Sequence, residues 1–77
     1  MNRYIATFYS HFGAMAYRKA LDGRGIAAKP MPVPRKISAS CGTCVCYQSV
    51  SAIDLDGCEL DRVYLADNDI LNCVLEK

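Results

Sequence analysis

The sequence predicts an α+β domain: a small, mostly antiparallel sheet with one main helix packed on it, in the order β-α-β-β, and a short C-terminal helix. Three observations carry that prediction. The aromatic and β-branched run Tyr4–Tyr9 is followed at once by a helical repeat from His11 to Asp22. Two more extended segments come next, one carrying Pro30, Pro32 and Pro34 and the other alternating from Thr43 to Val50. A hairpin signal, Asp56-Gly57, then stands before Cys58–Ala66. The nearest familiar plan is a split β-α-β unit of ferredoxin-like type with a truncated second half. The 77 residues admit one domain, 1–77, and a chain this short buries only about 60% of its unfolded surface.

Each element has a local reason. Tyr4-Ile5-Ala6-Thr7-Phe8-Tyr9 is short, aromatic and β-branched, as strands are. Ser10 can cap the next helix, because its hydroxyl accepts from the open N–H groups of the first turn. Ala14, Tyr17 and Leu21 recur at three- and four-residue spacing, with Ala16 and Ala20 beside them, and form one stripe that can lie against a sheet. Gly23 and Gly25 flank Arg24 and supply the left-handed stop.

From Ile26 to Pro34 the chain reads as a strand paired on one side only. Alternate backbone N–H groups of a strand point to the same edge, so the three prolines blank one edge while Met31, Val33 and Arg35 can still donate on the other. In the third strand Cys44 and Cys46 share one face, with Val45 and Tyr47 on the other. Asp56-Gly57 is expected to join Ala52–Leu55 to Cys58–Ala66 as a hairpin. Asn68 or Asp69 then caps a final helix over Asp69–Glu76, with Ile70, Leu71, Val74 and Leu75 at helical spacing.

Composition excludes several classes. Apolar residues make up 52% of the chain and charged residues 22%, too apolar and too nearly neutral for a disordered segment. No apolar run reaches the ~18 residues of a membrane helix, and no stretch at the start resembles a secretion signal. The expectation is a cytoplasmic protein with reduced thiols and no membrane association. A net charge of +1 argues against nucleic acid as a partner. The charge is unevenly placed: residues 1–40 hold seven Lys/Arg and one acid, and residues 41–77 hold two Lys/Arg and seven acids. Internal pairing between the halves is the ordinary expectation, and two faces of opposite sign is the other reading.

All five cysteines, Cys41, Cys44, Cys46, Cys58 and Cys73, fall in the second half. An odd count does not make a complete disulfide framework. Cys46, Cys58 and Cys73 read as packing residues, since cysteine behaves in cores as a small hydrophobe. Cys41 is different. Arg35 and Lys36 precede it by six and five residues, and positive charge favours the reactive thiolate if the loop folds back. Ser38 and Ser40 add hydroxyls, and the N–H groups of Gly42 and Thr43 can cradle an anion. Cys41-Gly42-Thr43-Cys44 also has dithiol spacing, so Cys41 and Cys44 form a candidate exchange pair. A zinc site would need more ligands; Cys58, Cys73 and His11 stand at no standard spacing, and no metal ligand is assigned. His11, alone at a helix start, reads as a surface residue. There is no Walker or Rossmann motif and no histidine-based triad, and no cofactor is expected.

At these residues the chain resembles the selenium/sulfur carrier protein-like family of small bacterial domains. The resemblance runs from Tyr4–Tyr9 through Ala14-Met15-Ala16, Leu21 and Gly25-Ile26. It continues in Pro32-Val33-Pro34-Arg35 and Ile37-Ser38-Ala39-Ser40-Cys41-Gly42. It covers about residues 4–46 and departs after Cys46, where the acidic tail replaces the longer helix and closing strand of such relatives. The resemblance implies a carrier or accessory protein rather than an enzyme, with Cys41 accepting sulfur or selenium as a persulfide or selenosulfide. Arg35 and Lys36 would favour its thiolate, Gly42 and Thr43 would donate, and Cys44 would resolve it. The implied partner is a protein that donates or accepts the atom, with monomer and homodimer both open. The alternatives are a dithiol redox module or a structural interaction module built on Cys41 and Cys44, with or without zinc.

Overall fold

The computed structural model describes residues 1–77 as five strands and one helix. They are β1 (Asn2–Phe8), α1 (His11–Gly23), β2 (Ala28–Pro32), β3 (Thr43–Ser49), β4 (Leu60–Asp67) and β5 (Ile70–Glu76). The strands form a single sheet in the order β2-β3-β1-β4-β5, and every neighbouring pair is antiparallel. β1 and β2 therefore run parallel on either side of β3, with α1 as the crossover between them.

Helix α1 begins where Ser10 caps it: the Ser10 backbone is extended and its Oγ accepts from the Gly13 N–H at 3.1 Å. The Ser10 hydroxyl also donates to the Glu59 carboxylate. The helix ends as Gly25 turns left-handed at φ 77° and its N–H donates to the Asp22 carbonyl at 3.0 Å. Ala14, Tyr17 and Leu21 are fully buried, which confirms the predicted stripe. They close a core with Tyr4, Ala6, Phe8, Val45, Tyr47 and Val63 on the front face of the sheet. The coil 50–59 completes that cover through Ala52, Ile53, Leu55 and Cys58.

Gly13 sits where the helix meets this coil. A Cβ at that position would run into the backbone carbonyl of Cys58. Backbone cannot swing aside as a side chain can, so Gly13→Ala is expected to cost about 1–3 kcal/mol of stability as an overpacked contact. Urea unfolding of the variant beside the wild type measures this.

Three expectations are corrected. The C-terminal helix over Asp69–Glu76 is instead strand β5. Asn68 and Asp69 do not cap a helix; both adopt positive φ, 48° and 67°, and make the two-residue turn between β4 and β5. The spacing of Ile70, Leu71, Val74 and Leu75 reflects a register irregularity, with Val63 opposite Leu75 but Tyr64 opposite Cys73. Such a bulge inverts the strand's alternation midway and imitates a helical repeat. Second, Asp56-Gly57 turns, with Gly57 at φ 82°, but joins no strand pair; Ala52–Leu55 stays coil and the hairpin forms one step later. The full ferredoxin-like plan is not present, since the chain has one helix and the coil 50–59 stands between β3 and β4.

Candidate functional site

The predicted site residues lie on the segment joining β2 to β3. Its ends are clamped by the Val33 N–H, which donates to the Gly42 carbonyl at 3.0 Å. Val33 thus donates toward β3, and the prolines of β2 face outward, as their alternation requires. Between the clamps the chain turns at Pro34, whose carbonyl accepts from the Ile37 N–H at 3.0 Å. Ile37 is buried against Ile5 and Cys44 on the back face of the sheet, opposite α1. One isoleucine therefore holds the whole excursion down, with Met31, Val33, Tyr64 and Leu71 packed around.

Cys41 emerges half-buried at the end of this segment, and its Sγ accepts from the Thr43 N–H at 3.4 Å. Thr43 also meets His11, whose Nδ1 lies 3.2 Å from the Thr43 Oγ1. Sequence reasoning left His11 without a role. Its approach follows from pairing: Thr7 opposite Cys44 sets the end of β1 and the start of α1 beside the start of β3. Only the register reveals that, and the one signal in the sequence was that the histidine is single.

The basic pair is elsewhere. Lys36 Nζ donates to the Asp69 carbonyl at 2.7 Å, beside the β4–β5 turn. Arg35 and Lys36 line a cleft with Arg3 and Asp67–Asp69, at the end of the sheet opposite Thr43. Thr7 pairs near the Cys41 end and Arg3 near the other, about 13 Å apart along β1. Ser38 and Ser40 are exposed on the connecting stretch, and Gly42 is exposed beside Cys41.

Cys44 and Cys46 share the back face, with Val45 and Tyr47 in the helix-side core, as the alternation predicts. Cys44 is fully buried, and its thiol donates to the Pro32 carbonyl at 3.7 Å. Burial pushes its pKa up to about 11. Burial also pushes up the Cys58 thiol. Cys46 is half-buried, and Cys73 is exposed on β5. All five cysteines are free, and no group of three or more His, Cys, Asp or Glu side chains gathers to hold a metal.

The raised thiol has a consequence for stability. An acid whose folded pKa lies above its unfolded value contributes stability that is complete below the unfolded pKa. That contribution is lost as pH rises through the folded one. For Cys44 the window runs from about 8.5, the free thiol value, to about 11. Tyr17 and Tyr47, also raised by burial, act in the same direction at higher pH. Stability is therefore expected to be flat from pH 6 to 8 and to fall steadily above about 9. Chemical denaturation across that range checks it, and Cys44→Ala should remove the early part of the fall.

The expected pairing between the basic and acidic halves does not occur. The ion pairs are Arg62–Glu76 at 3.0 Å and Lys77 with Asp54 at 2.7 Å and Asp56 at 3.8 Å, all inside the second half. No cation of residues 1–40 takes part in one. Register explains this, because β4 and β5 pair with each other at one side of the sheet while β2 and α1 lie toward the other.

No helix is long and apolar enough to cross a membrane. No curated protein and no solved structure matches the chain. Residues 3–56, most of the chain and all of the Cys41 segment, match the family model described as "Putative Se/S carrier protein-like", and the protein belongs to that family.

Proposed function

We propose that the protein carries a sulfur or selenium atom on Cys41 and passes it between partner proteins. The observation that carries this reading is the Thr43 N–H directed at a half-buried, reachable Cys41 Sγ inside the matched segment. The Cys41 thiolate attacks the outer sulfur of a partner's persulfide. The new S–S bond forms as the partner's own S–S bond breaks, and its electron pair leaves on the inner sulfur. That sulfur takes up the proton Cys41 gave away, so a thiol and a persulfide exchange one sulfur atom with no external oxidant. Hand-over is the same step in reverse, and selenium in the outer position follows the same course.

The arrangement supports Cys41 as the sole transfer atom. As a resolving thiol, Cys44 would have to leave the core from beneath Ile37 and ionise against a pKa of about 11. Arg35 and Lys36, which line a cleft that Cys41 does not, fit recognition of a partner better than activation of the thiol. His11 meets the hydroxyl of Thr43, the residue whose N–H is directed at the reacting sulfur.

The test is intact mass after exposure to glutathione persulfide, followed by peptide mapping. The wild type should gain one sulfur atom, removable by reductant and located on Cys41. Cys41→Ala should lose the adduct and Cys73→Ala should keep it. An adduct that survives Cys41→Ala and maps to Cys73 or Cys46 overturns the assignment.

A further inference from the structure

The two faces of the sheet are covered very differently. The front carries α1 and the coil 50–59, whereas the back carries only the segment from Val33 to Cys41. A cleft of about 900 Å³ stays open beside that segment. Its floor includes Ile5, Met31 and Leu71, and its rim carries Arg3, Arg35 and Lys36 from separate parts of the chain. The register adds a fourth cation. Lys29 stands opposite Cys46, which is opposite Ile5, so it lies on the same face. None of these four makes an ion pair. Lys36 instead holds a backbone carbonyl.

We infer that this face docks a short acidic segment of a partner protein, with carboxylates on the cationic rim and apolar side chains between them on the floor. The exposed cations around apolar ground complement such a segment in both charge and hydropathy. The two carboxylates in the cleft, Asp67 and Asp69, stand by the β4–β5 turn. They repel an anionic segment from that wall and bias it toward Arg3 and Lys29. Nucleic acid fits less well, because single strands are held by stacking on aromatic rings. No aromatic residue lines the cleft, and the exposed Tyr9 and Phe12 lie at the start of α1. The segment that bears Arg35 and Lys36 ends at Cys41, so a partner seated here sits on the same piece of chain as the proposed transfer atom. The docking surface itself does not depend on Cys41 carrying anything.

The test is amide chemical-shift mapping on the full chain with an end-blocked peptide of alternating glutamate and leucine, titrated to about 1 mM. The expected result is saturable shifts at Arg3, Met31, Arg35, Lys36 and Leu71, weakened by added salt. The paired substitution Arg3→Glu with Lys29→Glu, at two exposed positions, should lower the affinity at least about tenfold. Failure to shift these amides overturns the inference. So does an equal response to the peptide with glutamine for glutamate, a comparison made on the wild type and independent of how the variant folds. A stronger response at the same residues to oligouridylate would replace the acidic protein segment with nucleic acid. Sulfur loading of Cys41 is read separately by mass, so either proposal can fail while the other stands.

Discussion

Tyr17→Ala should remove a large share of the protein's stability. The ring is fully buried, meets Phe8 edge-on at 5.0 Å between centroids, and tilts against Tyr47 at 5.8 Å. Its hydroxyl donates to the Ile53 carbonyl at 2.7 Å and lies 3.0 Å from the Tyr47 hydroxyl, which accepts from the Ile53 N–H at 3.1 Å. Both backbone groups of Ile53 are thus satisfied by tyrosines, and this pins the coil 50–59 over the front face. Truncating a buried aromatic costs about 3–5 kcal/mol. A domain of this size has only about 4–12 kcal/mol in all. Tyr17→Phe keeps the ring and strands the Ile53 carbonyl, for about 1–3 kcal/mol. Urea unfolding of both variants separates packing from hydrogen bonding. Equal losses in the two would mean that the hydroxyl, not the ring, anchors the coil.

Ile37→Ala should act on the other face. Ile37 is 7% exposed and is the only fully buried side chain between β2 and β3. Removing it opens a void over Ile5 and Cys44 and costs about 2–4 kcal/mol. Because the segment is short and its other residues are only half-buried or exposed, much of that loss should appear as local opening rather than global unfolding. Cys44 reports it directly. In the wild type its thiol should resist iodoacetamide at neutral pH, being buried and raised to about 11. In Ile37→Ala its alkylation should rise at least about tenfold relative to Cys58, which the front-face core still covers. Protection of Cys44 unchanged by the substitution would show that the segment is held by Lys36 and the Val33 clamp instead.

What could be read from the sequence follows the range of the forces involved. β1, α1 and its Ser10 cap, the one-sided pairing of β2, and the two faces of β3 are local matters, legible from periodicity and proline spacing. β5 was not, because a bulge gave a strand the apolar spacing of a helix, and Asn68-Asp69 serves equally as a cap or as a tight turn. The separation of Arg35 and Lys36 from Cys41, and the meeting of His11 with Thr43, depend on strand register. So does the failure of the two halves to neutralise each other. Charge counts cannot say which side of a sheet each strand will occupy.

The outward prolines of β2 also bear on how copies of this protein could ever join. A fibre built by adding sheets end to end needs every unit to offer two receptive borders, one to give and one to take. Here Pro30 and Pro32 close the first border, and only β5 remains, itself kinked at Val74. Whatever meets through β5 consumes the last free border of both molecules, so growth terminates at a closed pair. The protein can be concentrated without its sheets becoming templates for a polymer.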